Sequence, residues 1–274
     1  MEWSKLKNII LLLLVCVNAF LLLLVGVQEG SGVRYQEETR KAAVATLQRS
    51  GIAVNLERLP RELTLRPMQV SRDQDAELES VRALLGQVEQ TGGSELRPRY
   101  SGLNGSAEYS ADGELSVQFA TGAWFREEGQ SYKKASEQCL ERIGFSGELI
   151  EQEELDGQVK LTFCQQWKGA PVFSCTLTLT WSGEELRSIE GQRLSGPAEE
   201  IPGDTPLAVS TVLVRFLAGV REGGYVCSRI DSMTAGYRLS STVRPARLDP
   251  VWRITTDSGD YYVDGMDGTL SLAG

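Results

Sequence analysis

The chain has 274 residues, a formal net charge of −9 and no histidine. Apolar residues make up 41% of it and charged residues 24%, a composition that excludes a largely disordered protein. Its acidic balance argues against binding to nucleic acid and to anionic lipid headgroups. The absence of histidine excludes Ser-His-Asp and Cys-His catalysis, histidine-ligated zinc and a histidine that accepts phosphate.

An apolar segment near the N-terminus runs from Ile9 to Val27 and is interrupted by Asn18. As a helix it would extend over roughly 28 Å, close to the hydrocarbon thickness of a bilayer. Lys5 and Lys7 precede it, so the positive-inside rule places the N-terminus in the cytoplasm. A cleaved signal peptide is the alternative, but its apolar region is usually shorter, about 7–15 residues. We predict a single-pass protein of the cell membrane with its C-terminal domain outside the cytoplasm.

Within this segment a polar side chain neighbours a stripe of mostly small residues. Lipid offers an asparagine amide nothing to bond, so Asn18 is either tolerated by a strongly apolar helix or bonds a partner helix. Helical periodicity places the small stripe beside it. We hypothesise that a partner helix is contacted by Cys16, Asn18, Ala19, Leu23 and Gly26.

The remaining sequence alternates between helical and strand periodicities. Helices are predicted at 34–49, 73–90, 131–143 and 206–220, the last opened by Asp204 or Thr205 and Pro206. Extended segments are predicted at 52–59, 64–70, 100–120 (a hairpin), 148–155, 159–167, 172–181, 186–194, 225–232, 235–239, 251–256 and 261–264. Pro67 would limit residues 64–70 to an edge strand or a loop.

Single helices that alternate with antiparallel hairpins indicate the α+β class, with helices packed on one face of each sheet. We predict a cytoplasmic stub and transmembrane helix over residues 1–30, followed by two modules of antiparallel sheet. The N-terminal α+β module covers residues 31–125 and the C-terminal α+β module covers residues 126–274. The boundary between them is expected within residues 120–130.

Cysteines and carboxylates are the remaining candidates for chemistry. Strand alternation puts Cys164 and Cys175 on opposite faces, which favours buried free thiols over a disulfide. The segments 257–260 and 264–268 lack the ligand spacing of a calcium loop and predict tight turns. A glycosidase-like carboxylate pair stays open as an alternative, although a solvated strand face is the simpler interpretation of Glu151, Glu153, Glu154 and Asp156. We expect no catalytic residue, no cofactor and no metal.

Three stretches resemble the YycI family. Met1 to Ile10, which leads straight into the apolar segment, is similar to the start of YycI proteins. Trp252 to Asp257, with Tyr261 to Val263 and the turn at Asp267, resembles that family's closing hairpin. Trp167 to Phe173 resembles the β-turn of PepSY-like modules, to which YycI domains are related.

The resemblance implies a non-enzymatic accessory regulator in a Gram-positive bacterium. Such proteins associate with a partner of similar build, YycH, and modulate the sensor histidine kinase WalK, which governs cell-wall metabolism. In that family, contact among transmembrane helices is central to control. The cysteines of the ectodomain and the leucine-rich anchor depart from the family pattern. Two alternatives are a PepSY-like protease inhibitor or envelope-peptide binding module acting through the ectodomain alone, and an envelope hydrolase with paired carboxylates.

Overall fold

The computed structural model describes residue 18 and residues 35–203, 205–241 and 245–273. Within these ranges the chain has the predicted α+β architecture. Its helices from residue 35 onward are α1 (residues 35–49), α2 (Gln74–Leu85), α3 (Tyr132–Arg142) and α4 (Val209–Glu222). A short 3-10 helix covers Leu56–Arg58.

The described strands, in chain order, are β1 (Ala53–Val54), β2 (Met68–Val70), β3 (Val88–Ser94), β4 (Arg97–Gly102), β5 (Gly105–Tyr109), β6 (Glu114–Phe119), β7 (Gly147–Leu155), β8 (Gln158–Trp167), β9 (Ala170–Ser182), β10 (Glu185–Gln192), β11 (Ala198–Glu200), β12 (Arg229–Ser241), β13 (Ala246–Thr256), β14 (Gly259–Asp264) and β15 (Leu270–Leu272). Helix α3 and the meander from β7 to β10 confirm the predicted elements of that region.

These strands form two sheets joined through β9. The first sheet has the order β3-β4-β5-β6-β10-β9-β8-β7, and its neighbouring strands are antiparallel. In the second sheet β13 lies between β12 on one side and β2 and β14 on the other. Strand β9 enters the second sheet where Val172 pairs in parallel with Tyr237 of β12.

Each sheet buries one face against two helices. Helices α2 and α3 pack on the first sheet, around a core that includes Phe163 and Trp181. Helices α1 and α4 pack on the second sheet, around a core that includes Phe216 and Trp252. A smaller cluster, including Val172 and Tyr237, fills the junction of the two sheets.

The predicted boundary between the two modules, at residues 125 and 126, separates β6 from β10 in the sequence, although these two strands are neighbours in one sheet. Strand β6 pairs with β10, so the first sheet continues across that position. Helix α1 and strand β2, from the predicted N-terminal module, lie with the second sheet instead. The first elements after residue 35 therefore do not lie with the elements that follow them in the sequence.

Several predicted elements were wrong in detail, among them two helices and the strand at residues 64–70. The helix predicted over residues 73–90 ends at Leu85, because Gly86 takes a φ of 78° and residues 88–94 form β3. Helix α4 begins at Val209 rather than Pro206, because Ala208 is extended, with a ψ of 147°. The Leu207 amide before it donates to the Gly265 carbonyl at 2.7 Å. Strand β2 is not an edge strand, since it lies between β11 and β13.

Candidate functional site

Of the five residues predicted to contact a partner helix, the structure describes one. Cys16, Ala19, Leu23 and Gly26 lie outside the described residues, whereas Asn18 is helical and exposed. In the part of the chain that the structure describes, the helices are too short or too polar for any of them to cross a bilayer. The contact hypothesis thus stays a prediction from the sequence.

Cys139, Cys164, Cys175 and Cys227 are free thiols, and the first three are buried. Burial raises the pKa of Cys139 and of Cys175 to about 12 and that of Cys164 to about 11. The thiolate is the nucleophilic form of cysteine, so these three side chains stay protonated and unreactive near neutral pH. The prediction of free thiols over a Cys164–Cys175 disulfide is confirmed.

The aspartates of the turn at residues 264–268 accept hydrogen bonds from backbone amides of the same turn or of the next residue. The Asp264 carboxylate accepts hydrogen bonds from the backbone amides of Met266 at 2.7 Å and Asp267 at 3.2 Å. Hydrogen bonds from Thr269 lower the pKa of Asp267. The tight turn predicted over residues 264–268 is confirmed, and the described residues contain no group of three or more potential metal ligands.

A candidate binding surface is the face of the first sheet opposite α2 and α3. We call it the polar face and define it by two rows of residues in cross-strand register. The first row consists of Arg99, Glu108, Ser116, Glu190, Thr178, Thr162 and Glu151. The second row consists of Glu89, Ser101, Ser106, Gln118, Ser188, Thr180, Lys160 and Glu153.

Neither row of the polar face contains an apolar residue, and hydrogen bonds join neighbouring strands along it. Arg99 donates to Glu108 at 2.6 Å, the Gln118 amide donates to Glu190 at 2.8 Å, and Oγ1 atoms of Thr162 and Thr178 lie 3.0 Å apart. The two rows together carry two cations and five glutamates. The polar face therefore has an acidic balance and suits a polar or basic partner better than an apolar one.

A shallow depression with a volume of about 560 Å³ lies on this face. Glu108, Ser116 and Glu190 of the first row line it, together with Arg97 and Glu114, whose side chains form an ion pair of 3.0 Å. The depression offers carboxylates and hydroxyls on an open sheet surface. Such an arrangement can bind a side chain of a partner protein, but it provides no activated nucleophile and no cleft that excludes water.

A buried charged cluster lies at the junction of the sheets and was missed by sequence reasoning. Arg72 binds the Glu77 carboxylate, with its Nε 2.6 Å from Oε1 and its Nη2 2.6 Å from Oε2. Arg193 lies 3.4 Å from the Ser80 hydroxyl, and Ser195 donates to Glu77 at 3.4 Å. The cavity beside the cluster has a volume of only about 30 Å³, which suits a water molecule rather than a substrate.

The comparisons with known proteins concern the fold. No protein-family model matches the sequence, and no curated protein matches it either. A crystal structure of an uncharacterized protein from Eubacterium rectale ATCC 33656 is similar, with a TM-score of 0.50 and 11% identity over 77% of this chain and 86% of that chain.

A second similar structure is the Bacillus megaterium YpeB C-terminal domain, with a TM-score of 0.40 and 11% identity over 75% of this chain and 100% of that chain. At these identities the Eubacterium rectale structure supports a shared fold and nothing about activity. The likeness to the YpeB domain is too weak to support a conclusion.

Proposed function

We propose that this chain is a membrane-anchored, extracytoplasmic accessory regulator of a WalK-type sensor histidine kinase that controls cell-wall metabolism. It acts through helix–helix and ectodomain contacts, together with a YycH-like partner. It is not an enzyme. The observation that carries the proposal is the apolar run from Ile9 to Val27 behind Lys5 and Lys7, in a chain whose opening and closing stretches resemble YycI proteins.

The ectodomain supports contact rather than catalysis. Its candidate binding surface is the polar face, which is open and acidic. Three of its four thiols are buried and protonated, and the carboxylates of β7 lie exposed on a strand. A binding protein needs such accessible surface, whereas an enzyme needs a sheltered site with activated groups.

The proposed fold family is PepSY-like. Each half of the ectodomain is a sheet with two helices on one face, namely α2 and α3 on the first sheet and α1 and α4 on the second. This arrangement supports the proposal, and in the second sheet it brings α1, from early in the described chain, together with α4, from near its end.

Control by a membrane helix requires only that the helix bind one conformation of the kinase better than the other. Close approach of two helices favours small side chains at the contact, and a buried amide can add an interhelical hydrogen bond. Asn18→Leu and Gly26→Leu should therefore each lower the amount of sensor kinase that co-purifies with the tagged full chain from membranes, by roughly threefold or more.

A matched control is Val17→Leu, which adds bulk on the face of the helix away from the small stripe. This variant should retain the kinase at the level of the unmodified chain. Undiminished co-purification in both Asn18→Leu and Gly26→Leu would contradict the helix contact. Activity of a secreted ectodomain that lacks residues 1–30 would favour the alternative of a protease inhibitor or peptide-binding module.

A further inference from the structure

Strand β7 is the outermost strand of the first sheet. Among the described strands it pairs with β8 alone. In an antiparallel sheet, alternate backbone amides and carbonyls of an outermost strand point away from its single neighbour and can bond another strand. From Ile150 to Leu155 every residue of β7 is exposed, so its outer edge is accessible.

The charged side chains along this edge are predominantly acidic. Strand β7 carries Glu148, Glu151, Glu153 and Glu154, and none of these is in an ion pair with a cation that the structure describes. The facing strand β8 contributes one cation, Lys160, opposite Glu153. Four negative charges thus face one positive charge along the edge.

The pairing of β7 with β8 shows which glutamates of β7 lie on the polar face. Glu151 lies opposite Thr162 and Glu153 lies opposite Lys160, so both belong to the polar face and end its two rows. Ile150 stands at an irregularity in the pairing and is 52% exposed, and Leu155 at the end of the strand is 69% exposed. An added strand would meet carboxylates on the polar face and apolar side chains beside them.

We propose that β7 is a docking edge for an extended segment of a partner protein that carries Lys or Arg at alternate positions. The segment pairs with the outer backbone of β7, and its basic side chains lie beside Glu151 and Glu153 on the polar face. Main-chain hydrogen bonds would give this mode its affinity, and the cross-strand charges its selectivity. A second copy of this chain is disfavoured as the occupant, because two β7 strands would bring like charges together.

This inference goes beyond the proposed function and does not depend on it, because neither the membrane segment nor the kinase enters the argument. The test uses the full chain in neutral detergent and a fluorescent peptide of eight residues that alternates lysine and valine. A second peptide has the same sequence with N-methyl groups on all of its internal backbone amides. It keeps every charge but has lost the amides that strand pairing needs.

We expect the unmodified peptide to bind at least about tenfold more tightly than the N-methylated one, and to slow amide hydrogen exchange within residues 147–155. The double variant Glu151→Gln/Glu153→Gln should weaken its binding. The matched control Glu127→Gln/Glu128→Gln changes two exposed glutamates between β6 and α3, outside the polar face, and should leave binding unchanged.

Three results would overturn the proposal. The first is equal affinity for the two peptides, which would reduce the interaction to diffuse charge attraction. The second is slowed exchange elsewhere in the chain but not in β7. The third is an equal loss of binding in the two double variants, because the effect would then follow net charge rather than the position of the strand.

Discussion

Replacing Glu77 by alanine is expected to lower the free energy of unfolding by about 3–5 kcal/mol, because it leaves the buried Arg72 guanidinium without a counter-charge. The side chains of Arg72 and Glu77 are 8% and 4% exposed. Within the described residues, Nη1 of Arg72 and Nε of Arg193 are already buried without a hydrogen-bond partner, so the loss of Glu77 would leave still more buried guanidinium nitrogens unpaired. Urea unfolding of the full chain in mild detergent measures the loss.

The matched control for this prediction is Glu79→Ala. Glu79 lies on the same helix but is exposed, and its replacement should change the free energy of unfolding by less than about 0.5 kcal/mol. Removing both charges, as in Arg72→Met/Glu77→Leu, should cost less than Glu77→Ala alone, because no unpaired arginine remains from that pair. Equal losses for Glu77→Ala and Glu79→Ala would contradict the account of the cluster.

Gly196→Ala should destabilise the same junction by about 1–3 kcal/mol or more. A β-carbon at Gly196 would overlap the backbone carbonyl oxygen of Ser71 and lie 2.6 Å from its carbonyl carbon. The neighbouring residue Pro197 accepts a hydrogen bond of 3.1 Å from the Ser71 amide, so the two segments cannot separate without breaking it. The loss would appear as a lower urea midpoint for the full chain.

Gly92→Ala provides the comparison for Gly196→Ala. Gly92 lies in β3, its added β-carbon would have no heavy atom within 4 Å beyond its chain neighbours, and its φ is not positive. The variant should therefore unfold near the midpoint of the unmodified chain. An unchanged midpoint for Gly196→Ala would show that the junction adjusts its backbone at little cost.

Local sequence signals predicted the elements whose stabilising contacts are also local. Ser131 caps α3 by accepting from the Lys134 amide at 3.3 Å, and the dipeptide Ser182-Gly183 marks the turn from β9 to β10. Alternation placed Leu161 and Phe163 on the buried face of the first sheet. Spacing within a few residues is enough for such elements, because caps, turns and strand faces depend on near neighbours.

Contacts between distant residues could not be predicted in this way. Strand β3 contains Gly92 and Gly93, which usually indicate a turn, yet pairing with β4 makes the segment extended. Arg193 contacts Ser80, which lies 113 residues earlier in the chain, so no local sequence pattern predicts the buried cluster. The polar face likewise depends on the register of all eight strands of the first sheet, which local sequence does not determine.

The most direct test of the proposed function is the autophosphorylation rate of a WalK-type kinase from the source organism, reconstituted in proteoliposomes with a YycH-like protein, the two proposed partners. One sample contains the full chain, and the other contains a chain whose residues 9–27 are replaced by polyleucine of equal length. We predict that the full chain changes the rate by about fivefold or more and that the polyleucine chain does not. The same rate with the full chain, with the polyleucine chain and with neither would contradict regulation through the membrane helix.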